Sequence, residues 1–431
     1  MTKIFETGMA LLALGGLIAG EAAASYTCST VAARGQFDPD GTTYLFANRF
    51  GDDAVVNGSG DVVFTASPKA VLTKRNQAVY HYPAVGSPEV VVRQGDPAPG
   101  GGFFSDVSRA CFSAPCLNDA GDIGFVGQLV GLGDGVFVRP NGGALQEAVR
   151  TGDPSPGGGF FDETLHFAGC TSSADMAFVS DVLSGPDGLF RWDGGSQTVS
   201  SVHLVGDSTG AGRQFCEFGE LSMSDAGIAF RALTQTDCSL AEIPVEGVFV
   251  SSGGVVTTVA LEGDPAPIPG GNTFLRFLSD DVPQINGAGD VTFGAHVVGT
   301  LSLHGIFFYD AGAATTSTVV QQFDVAPDTG GGFLRRFEAH RVADGGAVYV
   351  KGKVQKSQAK QGVFVFDGTP EAALLKSDPA PADAFGPNST FRGLKGRGMG
   401  ISSDGTRLAI TALVRDTVPP GKKRAVIRCE P

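Results

Sequence analysis

Charge is scarce in this 431-residue chain, and positive charge scarcer still. Only 18% of residues are charged, with 31 Lys and Arg against 45 Asp and Glu, for a net charge of −14. A field of that sign repels a phosphate backbone, so nucleic acid is not an expected partner. Past residue 25 no apolar run is long enough to cross a bilayer, so no membrane span is expected. No segment there repeats with a helical period, which argues against a bundle. There is no C-x-x-C pair and no His pair at ligand spacing, so zinc is not expected. One Trp and six Tyr leave few rings on which a sugar could stack. Glycine is what abounds, at 63 residues, beside 24 Pro and a hydrophobic share of 42%. That is too apolar for a disordered chain, and the length suffices for a sizeable core.

The first residues read as an address. Lys3 precedes an apolar stretch from Met9 to Ile18, too short to span a membrane, and Ala22-Ala23-Ala24 offers a signal-peptidase site. Residues 1–24 are therefore expected to be a signal peptide. Residues 25–431 then form a single mature domain, soluble, monomeric, and secreted or periplasmic. Seven cysteines suit that oxidising compartment, and their odd number leaves at least one outside any internal pair.

One segment recurs through the rest of the chain: Gly95-Asp96-Pro97-Ala98-Pro99, Gly152-Asp153-Pro154-Ser155-Pro156, Gly206-Asp207-Ser208, Gly263-Asp264-Pro265-Ala266-Pro267, Phe323-Asp324-Val325-Ala326-Pro327 and Ser377-Asp378-Pro379-Ala380-Pro381. Its aspartates are 57, 54, 57, 60 and 54 residues apart, and Gln36 stands in the aspartate's place 60 residues before Asp96. Within each period a Gly-rich turn leads to an aromatic. An N-x-x-G turn follows and runs into an apolar strand, as from Asn57 to Phe64, Asn118 to Phe125 and Asn286 to Phe293. A G-x-F segment comes next, ending at Phe137, Phe190, Phe249, Phe307 and Phe364, and then a β-branched run such as that from Gly254 to Ala260. This reads as four short strands per unit, with the N-x-x-G turn joining the first two.

Seven such units predict an all-β fold, a seven-bladed β-propeller of four-stranded blades. A β-solenoid or a string of small sandwiches is the alternative. The last unit ends one strand short, and residues 26–34 resemble the missing strand, so the N-terminal strand is expected to complete the last blade. That places Cys28 beside Cys429 as the expected disulfide. Its loop would enclose almost the whole mature chain, a case for which the entropic model predicts a large effect. Cys116 with Cys170, in equivalent places of neighbouring blades, and Cys216 with Cys238, in one blade, are the further candidates.

The N-x-x-G arrays ending at Phe64, Phe125 and Phe293 resemble bacterial secreted proteins described as choice-of-anchor tandem-repeat NxxGxxAF-containing proteins, over residues 30–431. The resemblance implies an extracellular repeat protein and carries over no activity, cofactor or catalytic residue. The strand rhythm also resembles TolB-like and WD-type propellers, at the level of fold alone.

Each motif with a chemical reading has a structural one beside it. Gly206-Asp207-Ser208-Thr209-Gly210 spells a G-x-S-x-G nucleophile elbow, yet it occupies the place of a Gly-Asp-Pro-x-Pro turn and lacks the strand-turn-helix context. One aspartate per turn does not supply the six or more oxygens of a calcium site. No cofactor is therefore expected, calcium being the remaining option, and the aspartates should accept backbone hydrogen bonds. Lys351, Lys353, Lys356 and Lys360 read as a solvated hairpin tip, or as a contact for an anionic polymer. Function in a propeller resides where loops enter the innermost strands. Counting two residues past the aromatic of successive units gives Asp162, Glu217, Arg276 and Arg335, which read as inter-blade salt bridges or as a polar funnel for a charged or hydroxylated ligand.

Two functional classes follow. The first is a non-catalytic scaffold that binds an extracellular glycan or protein. The second is a carbohydrate-active enzyme with its site at the channel mouth. A lyase on an acidic polysaccharide would use His340 or His166 as base, with Arg276, Arg335, Arg336 and Arg341 neutralising a uronate. A hydrolase would pair Asp162 with Glu217. Scattered histidines and few stacking rings favour binding.

Overall fold

A four-stranded unit with an apolar face must bury it on a neighbour, and units of equal size packed face to face close into a ring. The computed structural model describes residues 26–41, 50–66, 77–107, 115–239, 241–278, 282–299, 302–395, 398–417 and 420–431. The expected signal peptide lies outside these residues. Seven antiparallel sheets form a seven-bladed β-propeller, and no helix occurs among the described residues. Blades 1 to 7 span residues 50–93, 104–150, 160–204, 214–261, 273–321, 333–375 and 390–430. Blade 4 shows the plan, from Gln214–Ser224 innermost through Gly227–Gln235 and Val245–Ser252 to Val255–Leu261 outermost.

Blade 7 takes its outermost strand from the other end of the chain. Thr27–Ala33 pairs with Pro420–Glu430, and Cys28 lies opposite Cys429. These two cysteines are disulfide-bonded across 401 residues, so a strand pairing and a covalent bond close the ring together. Cys116–Cys170 joins the inner strands of blades 2 and 3, and Cys216–Cys238 lies within blade 4. Cys111 lies outside the described residues.

The core repeats one triangle of rings. Phe104, Phe125 and Phe137 of blade 2 recur as Phe161, Phe178 and Phe190, as Phe215, Phe230 and Phe249, and as Phe274, Phe293 and Phe307, all buried. In each triangle the first and third rings meet edge to face at 4.8–5.2 Å. The second and third stack at 5.5–5.7 Å. Burying each ring contributes about 1.5–3 kcal/mol, and each pair adds about 0.5–1.5 kcal/mol. The G-x-F segment follows from this packing. A Cβ on Gly135, Gly247, Gly305 or Gly362 would stand 2.6–2.9 Å from the phenylalanine ring two residues on, so only glycine lets that ring lie back along its strand.

Strand direction alternates within a blade, so the Gly-Asp turns and the loops between second and third strands share one end of the ring, here the upper. The N-x-x-G turns occupy the lower end. There, hydrogen bonds link every neighbouring pair of blades. Asn57 Nδ2 donates to Asn118 O (3.1 Å), Asn118 Nδ2 to Thr171 O (2.7 Å) and Asn286 Nδ2 to Ala343 O (2.9 Å). The Ser172 N–H donates to Asp225 (2.8 Å), Ser224 Oγ to Asn286 O (2.7 Å) and the Asp344 N–H to Ser403 O (2.8 Å). Arg428 Nη1 completes the circuit on Gly60 O at 2.6 Å. Each asparagine also accepts the N–H of Asp61, Asp122 or Asp290 at 2.8 Å, which sets its own turn.

Candidate functional site

The part of the upper end that repeats is structural. The aspartate of each Gly-Asp turn accepts the N–H three residues back: Arg93 to Asp96, Arg150 to Asp153, Leu204 to Asp207, Leu261 to Asp264, Gln321 to Asp324 and Leu375 to Asp378, at 2.6–2.9 Å. Gln36 does the same for the Ala33 N–H at 2.8 Å. Ser208 bridges to Gln214 in a strand-turn-strand connection, so the G-x-S-x-G sequence forms no elbow.

What varies lies just past these turns. Backbone bonds from Gly95 to Phe104, Gly152 to Phe161, Gly206 to Phe215, Gly263 to Phe274 and Phe323 to Leu334 identify the equivalent anchors. In blades 3 and 6 the anchor is thus the second residue of the pair, because Phe160 and Phe333 bridge back to Pro154 and Val325. The count therefore shifts by one there, and Glu163 and Arg336, rather than Asp162 and Arg335, match Glu217 and Arg276. Cross-strand rows start from these positions: Asp106, Gln128 and Asp134 in blade 2; Glu217, Leu233 and Glu246 in blade 4; Arg276, His296 and His304 in blade 5; Arg336, Lys353 and Gln361 in blade 6. The mouth is acidic on one side and basic on the other.

Blade 5 concentrates the chemistry. The His296 and His304 rings lie 4.6 Å apart, edge to face, and Ser302 Oγ is 2.7 Å from His296 Nε2. His296 Nδ1 is buried without a hydrogen-bond partner among the described residues. Burial holds both imidazoles below the usual histidine range. Arg276 adds to this at His296, while at His304 the other imidazole, Arg276 and Arg336 add to it. Both rings are therefore neutral at pH 7.

Arg276, Arg335 and Arg336 are exposed, and among the described residues none has a carboxylate within ion-pair distance. The inter-blade bridges expected of Arg276 and Arg335 are thus not formed there. Blade 4 differs: Arg231 pairs with both Glu220 and Glu246, the latter at 2.9 Å. His304 is also the exception in its row. Its counterpart Glu246 accepts the Phe277 N–H of the next blade at 2.9 Å, and Gln361 accepts from the Leu394 N–H and donates to Leu394 O at 3.0 and 2.8 Å. The His304 ring makes no hydrogen bond among the described residues.

The other expected site residues lie elsewhere. His340 is buried between blades 5 and 6 with Nδ1 2.9 Å from Thr292 Oγ1, roughly 13 Å along the strand from Arg336 at the usual strand rise. Arg341 donates to His340 O at 2.8 Å. His166 lies opposite Val179, and its side chain is outside the described residues. Asp162 is half-buried and Glu217 exposed, in neighbouring blades. Lys351 is not part of a solvated tip: it is fully buried, with Nζ 3.3 Å from Lys395 O. The structure thus unites Arg276 and Arg336 with two histidines that sequence reasoning passed over. Counting the hairpin outward from the Phe293–Phe307 pair would have found them, since three steps along each strand give His296 and His304.

Two guanidinium groups beside two neutral imidazoles can bind a carboxylate and offer further donors and acceptors to hydroxyls. No cluster of three or more metal-ligating side chains occurs among the described residues, and no helix there is long and apolar enough to cross a membrane.

The chain belongs to a family of unknown function, DUF7453, which it matches over residues 23–367. No curated protein matches the sequence. Among solved structures, the β-propeller domain of the trilobed protease from Pyrococcus furiosus is similar at 9% identity and a TM-score of 0.51, covering 89% of this chain and 94% of that one. An oligogalacturonate lyase from Vibrio parahaemolyticus is similar at 9% identity and a TM-score of 0.48, covering 94% and 98%. Likeness at these identities is one of fold. The Pyrococcus domain has an open velcro topology, whereas here Thr27–Ala33 closes the ring.

Proposed function

We propose that this chain is an extracytoplasmic binding propeller, one domain over residues 25–431 after a cleaved leader, that holds an acidic extracellular glycan at the upper mouth of blades 5 and 6. The observation that carries this reading is the set of exposed arginines that have no carboxylate partner among the described residues, in a chain of net charge −14. Cations left unpaired in an acidic protein form a local attraction for anions. Exposed Arg392, on the inner strand of blade 7, and Lys395, just past its end, extend the set over three blades, which suits a ligand whose charges repeat along a chain. Three disulfides support an oxidising compartment, as does the likeness of the N-x-x-G arrays to anchored extracellular repeat proteins. Purified residues 25–431 should be retained on immobilised polygalacturonate and released by salt, and should pass through a neutral dextran column. Retention by neither polymer, or equal retention by both, overturns this reading.

The neutral imidazoles favour a second reading, a polysaccharide lyase. One imidazole would withdraw the proton next to a uronate carboxyl while the arginines steady the enolate, and the glycosidic oxygen would leave as the double bond forms. New ultraviolet absorbance from unsaturated ends, lost in His304→Ala, would decide for it.

A further inference from the structure

We infer that Arg276, Arg336, His296 and His304 form one carboxylate subsite that takes up a proton as it fills, so that the glycan is held more tightly as its surroundings acidify. This rests on the reading that the mouth of blades 5 and 6 takes an acidic glycan.

The geometry brings charge to the histidine pair from two sides. Arg276 comes from Thr273–Phe277 of blade 5 and Arg336 from Phe333–Val342 of blade 6. Ser302 reaches His296 from the connecting loop, and the outer strand of blade 5, Thr315–Gln321, brings no charged side chain. The empty site thus holds two cations with no paired carboxylate among the described residues, and a proton on either imidazole would add a third positive charge. Burial and the arginines both oppose that proton.

A carboxylate lying between the guanidinium groups reverses the balance. It supplies the missing negative charge, so an imidazole can hold a proton at a pH where the empty pair cannot. The filled site then binds more protons than the empty one. By linkage, affinity rises as pH falls through the range where only the filled site is protonated. It levels off where the empty pair also protonates. Binding is lost near the carboxyl's own pKa, about 4, where the ligand becomes neutral. His296 Nδ1, buried and without a partner among the described residues, is an atom placed to gain from that proton.

The test is calorimetric titration of the full mature chain with a galacturonate oligomer at pH 7.5 and 6.0, in two buffers of different ionisation heat. The expected result is net proton uptake and an affinity several-fold higher at pH 6.0. Arg276→Gln or Arg336→Gln should weaken binding about tenfold or more, as loss of a charge-assisted bond does, while Arg341→Gln should not. In the binding that the arginines retain, the His296→Gln/His304→Gln double variant should lose both the uptake and the pH dependence. Arginine-dependent binding with no proton uptake overturns the inference and leaves the glycan reading standing. Equal binding of the methyl-esterified oligomer overturns the carboxylate assignment. Binding of an acidic peptide but of no glycan overturns both readings.

Discussion

At the lower end of the ring one peg recurs: Asn57, Asn118 and Asn286 are exposed by only 2%, 7% and 3%, and each donates its amide to the next blade. At the upper end the matching row reads Asp106, Glu217, Arg276 and Arg336, a different side chain in most blades. A buried amide that loses its partner costs the full desolvation of that group, so the three blades that carry the asparagine tolerate little change there. A side chain facing water costs almost nothing to exchange, so the upper row is free to acquire a ligand. The two ends separate what holds the ring together from what it offers to a partner.

If that separation is real, the most damaging changes should fall on the frame and leave the mouth working. The largest effect is expected from Cys28→Ser with Cys429→Ser, which opens a loop of 401 residues. The entropic model assigns that closure about 6 kcal/mol. Urea denaturation without reductant would measure it. A loss below about 1 kcal/mol would mean that the strand pairing of Thr27–Ala33 closes the ring alone and that the cross-link constrains little in the unfolded chain.

Next comes Asn118→Ala. It removes donation to Thr171 O and to Asp122 and leaves the Asp122 N–H without its acceptor. A loss of about 2–3 kcal/mol is expected from such a buried set, with retention on polygalacturonate unchanged once the protein is folded. Retention lost together with stability would show that the lower turns shape the mouth, and the separation would fail.

A smaller effect should appear with pH. His203 is buried, with Nε2 2.8 Å from Ser251 Oγ on the neighbouring blade, and burial holds its pKa below the ordinary histidine value of about 6.5. The unfolded chain therefore binds more protons below that pH, so stability fully present above about 6.5 is lost as pH falls. His203→Gln should flatten the slope of unfolding free energy between pH 7 and 5. An unchanged slope would mean that other groups set it.

Much of this architecture was legible because it repeats. The period of the Gly-Asp turns sets the blade count, and Gln36 stands in the aspartate's place, where it accepts the Ala33 N–H as the aspartates do in their turns. The pairing of Cys28 with Cys429 followed from a missing strand. The mouth was less legible, since its residues are the ones that do not repeat. Position alone gives Arg276, but Phe160 and Phe333 each stand one residue ahead of the anchor, so the count falls one short in two blades and gives Arg335 in place of Arg336. His340 stands close to Arg335, Arg336 and Arg341 in sequence. In a strand, though, neighbouring residues face opposite sides, and His340 turns into the blade interface on Thr292. His296 and His304, eight residues apart in sequence, meet only through hairpin register.

The smallest expected effect on stability is the sharpest test of the separation. Arg276 and Arg336 are exposed, and neither has a carboxylate partner among the described residues, so replacing either by Gln removes no bond that folding makes. Their removal also relieves repulsion with each other and with the cations of blade 7. Unfolding free energy should therefore change by less than about 0.5 kcal/mol, and a slight gain is as acceptable as a slight loss. Retention on polygalacturonate should fall in the same variants. Both outcomes are needed, because a residue kept for folding would show the reverse pattern: destabilisation without loss of binding. If Arg336→Gln instead lowers stability by 1–2 kcal/mol, on the scale of an ordinary internal hydrogen bond, the basic side of the mouth belongs to the frame after all. The charge asymmetry around the mouth would then be a consequence of blade packing, with no ligand implied.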